Sequence, residues 1–211
     1  MSLTEALAEQ GIRVVHLDDH LIVVDKPSGM PSQGTRDGPA GVIDLVQRTE
    51  PDATLPHRLD QPASGLLVIA RSERAASPLA AVFREHRATR VYRVVLAGVL
   101  SAPVTWGAEL DGKHARTQVI RAVRASGFSA VEIRLETGRT HQIRRHAALA
   151  GHAVVGDRRH GGEMGRAWPR LALHAAALQL VHPVSGEELA WTAPVPEDLA
   201  GLGRVAGGEG V

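Results

Sequence analysis

The nonapeptide "HRLDQPASG" (57–65) sets a carboxylate, Asp60, two residues after Arg58 and just ahead of Pro62 and Gly65. Aspartate before such a turn is common, because its side chain bonds nearby backbone amides. The same spacing also makes a rigid platform for a reactive carboxylate beside an arginine. A second stretch, "TGRTHQIRRH" (137–146), crowds Arg139, His141, Arg144, Arg145 and His146 into one helix start. Cations around the free amides of a helix N-terminus make an anion site, and an arginine there could keep a distant carboxylate ionised. A solvated basic face would have the same composition. The third feature is Tyr92, the one tyrosine of the chain, in "RVYRVV". A lone strand tyrosine serves packing as well as chemistry. Taken on residues alone, each feature keeps both readings.

Competing chemistries lack their spacing. Eleven histidines invite a metal, yet no HExxH-like ligand set occurs, and His141 and His146 lie five apart, off a shared helix face. Neither GxxxxGK[ST] nor GxGxxG is present. Ser64 and Gly65 do not make a G-x-S-x-G elbow. A glycosidase needs two facing carboxylates, and only Asp60 stands in a suitable setting. With no cysteine, disulfides and thiolate chemistry are excluded, and a cytoplasmic location is expected. No apolar run approaches the ~18–20 residues of a membrane span, and "MSLTEALAEQ" has early acids and no hydrophobic signal core.

The net charge of +1 conceals a strong pattern. Residues 113–170 carry twelve bases against four acids, whereas 1–56 carry four against nine and 171–211 one against five. Such a basic stretch points to a polyanion. Of the 24 bases only Lys26 and Lys113 are lysines. Arginine forks onto phosphate and stacks on bases, which suits RNA.

The elements needed to position these groups follow from periodicity and punctuation. "IRVVHLDDHLIVVDKPSG" reads as strands Arg13–Leu17 and Leu21–Asp25 around an Asp-Asp-His turn. "KPSGMPSQGTRDGPAG" is a long Gly/Pro/Ser loop, a length that is often functional. "VIDLVQRT" is a short helix and "LLVIA" (66–70) a buried strand. Ser72 opens a helix that Pro78 is expected to interrupt. "RVYRVVLAG" is a strand, and "TQVIRAVRASGFSAVEIRLET" a hairpin in which Val131, Ile133 and Leu135 alternate with Glu132, Arg134 and Glu136. Thr140 is the expected N-cap of the next helix and Gly151 its stop. "LALHAAALQLVHP" and "EELAWTAPVP" form two closing strands around a "VSGE" turn. The tail "GGEGV" is expected to fray. The expected fold class is α+β, a largely antiparallel central sheet flanked by helices and loops, in a single domain over 1–211.

At these stretches the chain resembles the RluA-type pseudouridine synthases. "HRLDQPASG" is similar to that family's His-Arg-Leu-Asp-x-x-Thr-Ser-Gly, "RVY" to its Lys-x-Tyr, and "GRTHQIRRH" to its Gly-Arg-Thr-His-Gln-Ile-Arg-x-His, followed by the Gly-Asp pair of "VVGD". Weaker marks agree: "VVDKPSGMP", "GKHARTQV" and "LALHAAALQLVHPVSGEELAWTAPVPEDL". The likeness runs from about residue 12 to 199. Two positions depart from it. Ala63 stands where the family has threonine, losing a hydroxyl worth roughly 1 kcal/mol if bonded, and Arg90 replaces the usual lysine.

The resemblance implies a mixed, largely antiparallel pseudouridine-synthase fold and an isomerase that acts on uridines of structured rRNA or tRNA. Asp60, Tyr92 and Arg144 would be catalytic: the carboxylate for the C1′–N1 exchange, the ring on the base, the guanidinium pairing with Asp60. Arg58, His57, Arg139, His141 and Leu173 would contact substrate, Arg58 holding RNA after the uridine flips out and Leu173 walling the pocket. No metal and no cofactor are implied, nor a membrane. A monomer is expected, without the small S4 RNA-binding domain of many relatives. The alternative is a non-catalytic RNA-binding or RNA-chaperone protein on a synthase scaffold; an N-glycoside hydrolase, liberating uracil, is a third.

Overall fold

The computed structural model describes residues 2–125, 127–166 and 168–200. The tail "GGEGV" lies outside them. The chain divides into two compact units, one built from Met1–Ala88 and Ala177–Ala193, the other from Thr89–Ala176 and Pro194–Val211. The architecture is α+β, as the sequence implies.

In the first unit, β1 (Arg13–Leu17), β2 (Leu21–Lys26) and β3 (Ser64–Ala70) pair antiparallel. β2 and β3 are apolar on both faces, and Leu21–Val24 and Leu66–Ala70 are all buried. Helix α3 (Glu73–Arg84) lays Ala75, Leu79, Val82 and Phe83 on this sheet, the spacing of a single helix face. Leu178 and Leu180, from the hairpin of β8 (Leu173–Val181) with β9 (Glu188–Thr192), join the same core. Each such leucine contributes about 1.5–3 kcal/mol by leaving water. Ser72 caps α3 by accepting the Ala75 amide. Pro78 lies inside α3 and does not interrupt it. Here the apolar face on either side of the proline outweighs the loss of one helical hydrogen bond. Two short elements are additional to those expected: α1 (Leu3–Ala8), closed by a Ser2–Glu5 capping box, and β5 (Val104–Trp106) of the second unit.

In the second unit, β4 (Thr89–Ala97) pairs antiparallel with β7 (Phe128–Leu135), β7 with β6 (Thr117–Ala125), and β6 with β5. Val131, Ile133 and Leu135 are buried while Arg134 and Glu136 are exposed, the alternation expected of a half-buried strand. Helix α4 (Gln142–Leu149) stops at Gly151, which takes the left-handed conformation at φ 78°. Beyond it, residues 153–155 run along the end of β4, through bonds from Ala97 to Ala153 and from Val155 to Val95.

Candidate active site

Asp60 sits at the head of a tight turn, its carbonyl accepting the Ala63 amide at 3.0 Å. The long Gly/Pro/Ser loop after β2 is the backing of this turn. Ser28 Oγ donates to the Pro62 carbonyl, the Gly29 amide to the Gln61 carbonyl, and the Gln61 side chain returns a bond to the Gly29 carbonyl. Buried Ser32 both donates to the Leu59 carbonyl (2.9 Å) and accepts its amide (3.0 Å). The loop is itself pinned by Asp44 of α2 (Val42–Val46), whose Oδ2 accepts the amides of Gly34 and Gly41.

Lys26 joins the two loops. It is fully buried, and its ammonium donates to the carbonyls of Pro27 (2.9 Å), Met30 (2.7 Å), Gln61 (3.2 Å) and Ala63 (2.6 Å). An ammonium has three protons, so one is shared between two acceptors. The carbonyl dipoles replace the water that a buried cation loses. Asp60 is therefore carried on backbone held at Leu59, Gln61, Pro62 and Ala63. The methyl of Ala63 is buried, and its carbonyl, not its side chain, makes the Lys26 contact.

The residues before Asp60 part company. His57 turns inward: its Nε2 accepts the Val68 amide at 3.1 Å and its ring stacks on Phe83, with centroids 4.2 Å apart. That acceptor role leaves the ring proton on Nδ1 in the neutral form. Arg58 is exposed.

In the second unit, Tyr92 is buried on β4 opposite Ile133. Arg90, two residues earlier, shares its strand face. Leu173 is buried at the start of β8. Arg144, also buried, is gripped side-on by Asp157: Nε donates to Oδ2 at 2.9 Å and Nη2 to Oδ1 at 2.7 Å. Asp157 in turn accepts the amides of Arg159 and His160. Burial alone would raise the Asp157 carboxyl. The Arg144 hydrogen bond, the His160 amide, the Arg144 charge and the Arg159 amide outweigh it, and the pKa lies below the usual carboxylate value. The pair takes up Nε and Nη2 of Arg144 and fixes the plane of its guanidinium.

The chain reaches α4 in an unexpected way. His141, not Thr140, is the N-cap, in the left-handed region at φ 52° and without a side-chain cap. Gln142 explains the shift. Buried, it accepts the Arg139 amide and the Thr137 hydroxyl on Oε1, and donates from Nε2 to the Arg116 carbonyl and Thr117 Oγ1. A glutamine inside the helix thus ties down the entering loop, the task usually left to the cap. Arg139 is half-buried and donates from Nε to the His114 carbonyl. His141 Nδ1 meets His160 Nε2 at 2.9 Å. His146 is buried between Thr117 Oγ1 and the Ala108 carbonyl and supports the fold. Arg145 pairs with Asp111 at the surface.

Lys26, Ser28, Ser32 and Asp157 carry no role that the sequence alone assigns. "DKPSGMPS" and "VVGD" are visible there as marks, but nothing in them says which carbonyls a lysine will collect or which arginine an aspartate will meet.

The α+β scaffold carries a turn-mounted aspartate in one unit and a strand tyrosine and a clamped arginine in the other. The chain belongs to the RNA pseudouridylate synthase family, whose sequence pattern matches residues 20–149, and to its RluA-type branch. It is similar to the ribosomal large subunit pseudouridine synthase D of Xanthomonas campestris pv. campestris, 37% identical over 90% of this chain and 68% of the relative. The protein of the same name from Pseudomonas aeruginosa is 32% identical over 90% of this chain and 70% of the relative. Among solved structures, human RNA pseudouridylate synthase domain containing 4 shares the fold, with a TM-score of 0.75 at 23% identity over 96% of this chain and 95% of that one. The enzyme is an RNA pseudouridine synthase, an isomerase.

Proposed function

We propose that this enzyme converts uridine to pseudouridine in large-subunit ribosomal RNA, with Asp60 as the catalytic carboxylate. The C1′–N1 bond breaks, the uracil turns, C1′ joins C5, the C5 proton leaves and N1 gains one, so the product is an isomer. Asp60 acts on the sugar, by attack or by proton removal. Tyr92 lies against the base and helps take the C5 proton, and Arg144 is the cation that orients Asp60. Arg58 enters the space the flipped uridine vacates, with His57 anchoring the chain behind it. Arg139 and His141 meet the RNA backbone, and Leu173 bounds the pocket. No metal or cofactor takes part, and the enzyme acts as a monomer in the cytoplasm.

The observation that carries this reading is the bracing of the Asp60 turn. Four backbone positions around one half-buried carboxylate are held by a buried lysine, two serines and a glycine amide. Preorganised geometry of this kind is what a reacting group requires. The asymmetry of charge supports the RNA substrate. Base flipping supplies access to the glycosidic bond, since a stacked uridine shields it. The two curated relatives carry ribosomal large subunit in their names, which favours that RNA over tRNA.

The test is to map pseudouridines in ribosomal and transfer RNA from cells lacking this chain. We expect one or more large-subunit sites to revert to uridine and to return with the wild-type gene. Loss confined to tRNA would overturn the choice of substrate, and no loss anywhere would overturn the function.

A further inference from the structure

Arg90 is an anomaly in a well-satisfied interior. It is 8% exposed, yet its one hydrogen bond among the described residues is a long one, from Nη2 to the Thr137 carbonyl at 3.3 Å. Its Nε is sealed from solvent without an acceptor. No carboxylate faces it among the described residues, whereas Arg93, on the opposite face of the same strand, pairs with Glu132. A buried guanidinium with most donors idle costs stability and is retained where something else completes it.

The surroundings say what that is. The guanidinium lies directly beneath Gly138: a side-chain carbon there would sit 3.1 Å from Nη1 and about 4 Å from the central carbon. Gly138 and Thr140 are exposed, so the loop over the cation reaches solvent. Next in the chain are Arg139 and the start of α4, where His141 supplies no side-chain cap and the Gln142 amide donates to the Arg139 carbonyl. The helix start and Arg139 adjoin, in the chain, the short loop that covers Arg90. Along β4, Tyr92 is the next residue on the same face.

We propose that Arg90 is a buried phosphate anchor, which with Arg139 and the start of α4 takes one phosphodiester of the RNA substrate. The assignment rests on the RNA substrate proposed above. It also explains the glycine at 138, where any side chain would cover the guanidinium.

The test compares wild type, Arg90→Met and Arg90→Lys on a large-subunit rRNA transcript, by tritium release and by binding across a salt series. Methionine keeps the bulk of the stem and removes an unpaired buried charge, so its Tm should not fall. Its KM should rise about ten- to a hundredfold, the loss falling mainly on KM, as for one charged hydrogen-bonded contact. The slope of log affinity against log salt should flatten by about one. Arg90→Lys should keep the wild-type slope. A methionine variant with unchanged KM and slope would overturn the anchor. So would a fall in Tm accompanying the loss, a loss confined to kcat, or a lysine variant that behaves like methionine. Wild-type protein inert toward the transcript would instead count against the proposed substrate.

Discussion

Arg144 and Asp157 form a two-pronged ion pair, 2.7 and 2.9 Å long, with both side chains almost wholly buried. It is the feature that turns a basic helix start into a positioned cation. The aspartate comes from a loop braced on β4, so the orientation of Arg144 is set by the second unit's own sheet and not by α4 alone.

Removing one partner of such a pair leaves the other charged and buried. Asp157→Asn should therefore destabilise the protein by about 3–5 kcal/mol. The lowered Asp157 pKa fixes the pH dependence. Its stabilisation is fully present above the unfolded carboxylate value of about 3.9 and is lost as pH falls through the lower folded value. Urea unfolding of wild type should show this acid loss, and Asp157→Asn should flatten it. Parallel pH profiles would contradict the assignment.

His160 has its pKa lowered, first by burial and then by Arg144, Arg159 and Arg145, against an opposing pull from Asp157. The neutral ring is favoured in the fold. This contribution is complete above the unfolded value of about 6.5 and is lost as pH falls through the lower folded value. The His160 resonance in an NMR titration should have its midpoint below that of a free histidine. A midpoint above it would show that the His141 contact holds an imidazolium.

Lys26 satisfies four carbonyls from one buried position. Lys26→Met keeps the volume and strands those acceptors, each costing about 1–3 kcal/mol if left dry. We expect lower stability and faster amide exchange at Gly29 and Ala63, the bonds nearest the ammonium. Exchange rates equal to wild type would mean that the serines alone hold the loops.

Gly156 precedes Asp157 at φ 76°, and a side-chain carbon there would fall 1.8 Å from the Arg170 carbonyl. Gly156→Ala should cost about 3 kcal/mol or more, combining backbone strain with a clash against main chain. A thermal melt within a degree or two of wild type would refute the constraint.

Much of this architecture is legible in the amino-acid sequence. Alternation marks β7, and unbroken apolar runs mark β3. Ser72 announces α3, and three motifs in order point to the family. What escapes depends on contacts distant in sequence. Pro78 reads as a breaker because its neighbours cannot show the core that α3 covers. Thr140 reads as a cap because nothing local says that Gln142 will reach back to Thr137 and outward to Arg116. The partner of Arg144 lies thirteen residues on in a loop of no regular structure, and the long loop after β2 shows its purpose only when folded against Asp60.

If Asp60 is the reacting carboxylate, tritium release from RNA labelled at uridine C5 depends on its charge. Asp60→Asn keeps the size of the side chain and removes its charge. We expect a variant that melts like wild type, binds the RNA, and releases no tritium above background. Release at the wild-type rate from folded Asp60→Asn would contradict that role.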